Sequence, residues 1–136
     1  MSQYTNNLPL TAGGNILPGR FIAMEAGQES QVIQASGGAS EPVMGVCKES
    51  SLDAPGLGGS ANHSEDTHRV EYYGPGEYCL VEAGAAVTAG DYVMPDANGK
   101  AITATTTLHA FGIAVQTAAT DGDFIKVQLT NGVYIP

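Results

Sequence analysis

Apolar and polar positions alternate most cleanly near the C-terminal end of the chain. Ile125, Val127 and Leu129 interleave with Lys126, Gln128 and Thr130, which predicts a strand with one buried face over Phe124 to Thr130. Arg69 to Tyr73 has the same form, with Val70 and Tyr72 on one face. Lys100 to Thr107 is rich in β-branched residues and follows Asp96-Ala97-Asn98-Gly99, whose Asn-Gly pair is a strong hairpin signal and predicts a type I′ turn with Asn98-Gly99 at its tip. From Leu17 onward short apolar runs are punctuated by Gly, Pro, Asp or Asn. Two segments break the pattern. Residues 1–16 are polar, rich in Asn and Thr, and without periodicity, so they read as an extended arm. Ser50 to Glu65 is rich in Gly and Ser with almost no large apolar residue, and reads as a long surface loop.

The strands repeat. Leu17-Pro18-Gly19-Arg20-Phe21-Ile22 aligns with Thr88-Ala89-Gly90-Asp91-Tyr92-Val93, and Pro42 to Cys47 aligns with His109 to Ala114. Arg69 to Tyr72 then aligns with Lys126 to Leu129, and Gly76-Glu77-Tyr78 with Gly132-Val133-Tyr134. The spacing between partners shrinks along the chain, so the first copy carries extra residues, most of them in the 50–65 loop. The expected fold is all-β: a small barrel or β-sandwich of short strands, built as two similar β-units whose apolar faces share a core. The expected organisation is an extended N-terminal arm over 1–16 and a single β domain over 17–136, with an internal repeat at 17–81 and 88–136.

Composition agrees with β-structure. The chain has 136 residues with 18 Gly and 7 Pro, both poor in helices and required by tight turns. Fourteen acidic against five basic residues give a formal charge of −9, which repels phosphate and disfavours nucleic acid or an anionic membrane as a partner. No apolar run approaches the length of a membrane span. Met1-Ser2-Gln3-Tyr4 lacks the basic, apolar opening of a signal peptide, so synthesis in a reducing cytoplasm is expected. Cys47 and Cys79 each sit in an apolar run and are expected to be buried thiols rather than a disulfide.

Chemistry-bearing motifs are sparse. His63-Ser64-Glu65-Asp66-Thr67-His68 clusters histidines with carboxylates, and His63 and His68 are weak metal-ligand candidates. The cluster sits at the end of a Gly/Ser loop, where such residues are ordinarily solvated. A small β-fold enzyme or sugar-binding domain would have to use it. Asn98-Gly99-Lys100 resembles the hairpin that presents the modified lysine of biotinyl and lipoyl carrier domains, although Lys100 falls on the returning strand and lacks flanking Met residues. Phosphate-cradling loops and nucleophile elbows are absent. No catalytic residue, metal or cofactor is assigned.

The succession from Gly84 carries a resemblance. Gly84-Ala85-Ala86-Val87-Thr88-Ala89-Gly90-Asp91-Tyr92-Val93 is followed by Gly99-Lys100-Ala101 and Phe111-Gly112-Ile113-Ala114. Ala118-Ala119-Thr120-Asp121-Gly122-Asp123 then leads into Ile125-Lys126-Val127-Gln128-Leu129. This resembles the small phage head proteins described as capsid cement, decoration or capsid-fibre proteins. The resemblance implies a non-enzymatic structural protein on the outer surface of the virion, made in the host bacterial cytoplasm. Its partners would be the major capsid protein and itself, as a homotrimer with a dimer as the alternative. A tail or fibre component is the nearest rival. Within that reading Tyr4, Leu8, Leu10 and Ile16, the apolar residues of the arm, are the expected contacts to the capsid or a neighbouring subunit.

Overall fold

The computed structural model describes residues 10–13, 16–38, 41–48, 69–70, 72–105 and 108–136. Among them the regular elements are strands: β1 (Leu10–Ala12), β2 (Phe21–Met24), β3 (Gln31–Gln34), β4 (Val43–Cys47), β5 (Arg69–Val70), β6 (Tyr72–Tyr73), β7 (Tyr78–Glu82), β8 (Tyr92–Pro95), β9 (Ala101–Thr103), β10 (His109–Ala114) and β11 (Phe124–Tyr134). The alternation read from the sequence is the burial pattern of the fold. Ile125, Val127 and Leu129 are buried along β11. Val70 and Tyr72 are buried together, at 3% and 5% exposure.

Two sheets form, ordered β5-β1-β3-β2-β4-β6 and β7-β11-β10-β8-β9. In the first, β5 pairs with β1 at one edge and β6 with β4 at the other, yet only one residue separates β5 from β6. The two edges therefore meet and the sheet rolls into a barrel. Leu10, Ala12, Ile16, Ile22, Val32, Cys47, Val70 and Tyr72 fill it, with Met24 and Met44 packed against them. In the second sheet a parallel bridge from Ala83 to Ala101 draws the β7 and β9 edges together. Val81, Val87, Val93, Ile125 and Val127 lie in its core, which also takes in Phe21, Ala23, Ala35 and Val46 from the outer face of the first barrel. The two units thus share buried surface, and each fully buried Val, Ile or Phe contributes about 1.5–3 kcal/mol.

The registers reproduce the sequence alignment residue by residue at its first two matches. Ile22 faces Gly45 and Phe21 faces Val46 in the first sheet; Val93 faces Gly112 and Tyr92 faces Ile113 in the second. The Gly19 N–H donates to Cys47 O as the Gly90 N–H donates to Ala114 O, at 2.9 and 2.7 Å. Gly19 and Gly90 both have positive φ, 76° and 96°.

The structure moves the boundaries of the repeat. Leu10-Thr11-Ala12-Gly13 matches Val81-Glu82-Ala83-Gly84: the Gly13 N–H donates to Val32 O and the Gly84 N–H to Ala101 O, both at 2.8 Å. Leu10–Ala12, within the expected arm over 1–16, are β1, a strand of the first barrel. β7 opens the second unit rather than closing the first, because it pairs with β11 across five positions. The third match slips by two residues, since Cys47 faces Tyr72 where Ala114 faces Val127. A two-residue slip keeps the same face buried, which is why alternation alone did not detect it.

Candidate functional site

The two barrels are locked at the β8–β9 turn. The Asp96 side-chain Oδ1 accepts from the Lys100 N–H at 2.9 Å and from the Asn98 N–H at 2.8 Å. The Gly99 N–H donates to Asp96 O at 3.0 Å, and Gly99 has φ 77°. Asn98 does not adopt positive φ, so the loop is a three-residue turn ending in a left-handed glycine rather than the expected type I′ pair. The Asp96 carboxylate is the reason: by accepting from two N–H groups it holds the chain in the longer turn.

That turn is docked, not presented. Phe21 N–H donates to Gly99 O at 2.9 Å, and both Arg20 Nη1 and Gln34 Nε2 donate to Asn98 O, at 2.9 and 3.0 Å. Arg20, 10% exposed in its side chain, also donates from Nε and Nη2 to Glu82 Oε1 at 3.1 and 3.0 Å. Glu82 Oε2 meets Lys100 Nζ at 3.3 Å, and Lys100 meets Asp121 at 2.9 Å. The hydrogen bond to Asp121 is the largest influence on the Lys100 ammonium, and with the bond and charge of Glu82 it outweighs the opposing effect of burial and raises its pKa above the ordinary lysine value. Lys100 is therefore tied into an ion-pair chain with its side chain 18% exposed. A carrier lysine needs a free, exposed tip, and this geometry does not supply one.

Beside the joint lies a cleft of about 420 Å³, walled by Leu17, Pro18, Tyr73, Leu80 and Phe124 with the Arg20–Glu82 pair also lining it. Leu80 and Phe124 reach it from neighbouring strands, because β7 and β11 pair with Glu82 opposite Phe124 and Leu80 opposite Lys126. Strand alternation points Cys79 and Val81 into the core and turns Tyr78 and Leu80 outward. Tyr78, Leu80 and Phe124 are 56%, 48% and 53% exposed. Lys48 Nζ sits 4.8 Å from the Tyr73 ring centroid, a cation–π contact near the rim. The cleft is suited to receiving an apolar side chain from another protein. Its chemistry is that of a contact surface: the walls are apolar and the one lining acid is engaged by Arg20.

The residues expected from the sequence fall in different places. Tyr4, Leu8, His63, His68 and the whole 50–65 loop lie outside the described residues. Leu10 and Ile16 are 2% and 0% exposed inside the first barrel, so their side chains serve this chain's own core and not a neighbour. Among the described residues no group of three or more His, Cys, Asp or Glu is placed to hold a metal ion. Cys47 and Cys79 belong to different core clusters and are not joined. Burial, then the nearby Glu77 charge, pushes the Cys79 thiol up to about 12. The cleft was not anticipated from sequence, although Tyr78-Cys79-Leu80-Val81 carries its signal. A strand apolar on both faces has one face more than its own core needs.

Comparison with known proteins completes the picture. The family model described as phage cement protein matches residues 3–129. Among solved structures, the head fiber gp8.5 N base in bacteriophage phi29 has a similar fold, with a TM-score of 0.64 and 18% sequence identity. The match covers 90% of this chain and 92% of that one. A search of curated proteins found no match.

Proposed function

This chain belongs to the phage cement protein family, and from that premise we propose that it binds the outer surface of a phage head and stabilises contacts between major capsid subunits. It is a phage structural protein; the finer reading concerns where and how it attaches. The observation that carries it is the outward apolar group Leu80 and Phe124, which line the cleft, with exposed Tyr78 two residues from Leu80 on the same strand. On a chain with a formal charge of −9, large apolar side chains side by side on neighbouring strands mark a protein–protein contact. Only the assembled shell presents the complementary site, so binding stabilises that state by mass action. Association of the chain as a homotrimer would add avidity without a large interface per copy. Tyr4 and Leu8, which precede β1, are assigned to the same contact or to a neighbouring subunit. On this reading the protein is made in the host bacterial cytoplasm and resides on the outer face of the virion.

The test is binding to heads that lack the protein. Leu80→Asp with Phe124→Asp is expected to abolish attachment while leaving the fold intact, because both side chains are about half exposed. Unchanged attachment would remove the cleft from the reading. Quantitative mass spectrometry of virions supplies the copy number. A ratio to the major capsid protein near one, or a simple fraction of it, fits a lattice-wide cement protein. A handful of copies fits a tail or fibre component instead.

A further inference from the structure

The repeat assigns every residue of the first barrel's docking face a counterpart in the second barrel. On the first barrel, Phe21, Ala23, Ala35 and Val46 are 0–1% exposed because the second barrel covers them. Their counterparts follow from matched registers. Phe21 corresponds to Tyr92, and Val46 to Ile113. Ala23 corresponds to Met94, since Ala23 faces Ile33 as Met94 faces Ile102. Ala35 corresponds to Ala104, since each donates its N–H to O of the preceding partner, Phe21 or Tyr92, at 2.8 Å.

None of these counterparts is covered to the same degree. Tyr92 is 41% exposed, and Met94, Ala104 and Ile113 are only half-buried. The piece that would cover them has its own counterpart too. The 96–100 turn that seats on the first barrel corresponds to the turn between β2 and β3, where the Glu25 N–H donates to Gln31 O as the Asp96 N–H donates to Lys100 O. Residues 26–30 of that turn are all exposed. One face and one knob of an interface that this chain already makes within itself are thus both left open, at opposite members of the repeat.

We propose that a second copy of this chain fills the open face: the Tyr92, Met94 and Ile113 surface of one copy receives the 25–31 turn of the next. The contact is head-to-tail rather than self-complementary. It deepens the homotrimer part of the proposed function and rests on it. The intramolecular ion pair is not repeated, because Arg20 corresponds to Asp91 and Glu82 to Thr11. The contact therefore depends on apolar burial. Glu25 and Glu29 of the turn approach the side that carries Asp91, so added salt strengthens association by screening like charges.

The experiment measures the mass of the purified full chain by light scattering and native mass spectrometry. Tyr92→Glu is expected to weaken self-association roughly thirtyfold or more, as loss of a central interfacial Tyr does. Ala26→Glu with Gln28→Glu is expected to do the same from the other side. All three positions are exposed, so circular dichroism and melting should match the wild type. Mixed one to one, the face variant and the turn variant should recover a heterodimer, since each keeps the surface the other has lost. A monomeric wild type at the highest attainable concentration overturns the inference. So does an unaltered oligomer in either variant, or a mixture that stays monomeric. Mass in solution does not depend on heads, so a monomer that binds heads defeats this inference alone. An oligomer that ignores heads defeats the proposed function alone.

Discussion

Replacing Arg20 by Met probes the joint between the barrels with the least change of shape. The substitution keeps an unbranched apolar stem and deletes the guanidinium, with its two bonds to Glu82 Oε1 and its bond to Asn98 O. Breaking a buried pair costs about 3–5 kcal/mol when the surviving charge is stranded. Glu82 is not fully stranded, because its side chain is 18% exposed and Lys100 remains at 3.3 Å. The expected loss is therefore about 2–3 kcal/mol after that discount. For a chain of this length, at about 2.1 cal/mol/K of unfolding entropy per residue, the melting point should fall by about 7–10 °C. The chain has no Trp and six Tyr, so tyrosine fluorescence and circular dichroism are the readouts, in urea and on heating. Glu82→Gln in both backgrounds completes a double-mutant cycle, in which a coupling of about 1 kcal/mol or more identifies the pair itself. A change within about 0.5 kcal/mol for Arg20→Met, the ordinary surface range, would refute the idea that this ion pair holds the barrels together.

Other outcomes follow from single features. Gly112→Val should destabilise strongly, by about 1–3 kcal/mol or more, because a Cβ there would stand 2.6 Å from Val127 Cγ1 inside the core; an unchanged urea midpoint would contradict the close approach of β10 and β11. Stability should fall along the alkaline limb in two stages. Above 9.0 an unfolded Cys79 ionises while the buried thiol keeps its proton up to about 12, which favours unfolding. Above 10.5 the unfolded chain loses the Lys100 proton that Asp121 and Glu82 retain in the fold, so this contribution, complete below 10.5, disappears as pH rises through the folded value. Cys79→Ala should remove the first stage and Lys100→Met the second, as read by urea midpoints against pH. Deleting residues 2–15 should unfold the protein, since it removes Leu10 and Ala12 from the first barrel. Deleting 2–9 should leave melting unchanged and weaken attachment to heads; a folded 2–15 deletion would show that β1 is dispensable.

Much was already present in the linear pattern. The period-two alternation at Ile125, Val127 and Leu129 determined which face of β11 is buried, because side chains of a strand point to opposite sides whatever the strand pairs with. The recurrence of Gly19 and Gly90 before an apolar run determined two like turns, since both positions need positive φ. The family resemblance was legible for the same reason: it consists of turns and strands, which are local.

What the tertiary structure alone decided is non-local. Leu10 and Ile16 looked like free apolar residues in a polar arm, and only the pairing of Leu10 with Val70 and the packing of both side chains in the first barrel placed them in a core. Asn98-Gly99 carried the local chemistry of a tight hairpin. The Asp96 carboxylate and the docking of Asn98 O on Arg20 selected a longer, covered turn. The cleft and the Arg20–Glu82–Lys100 chain join residues more than sixty positions apart in sequence. Periodicity within a strand holds no information about which strand lies opposite. A repeat can say that two units resemble each other. Only their packing shows that one face is covered in the first unit and left open in the second.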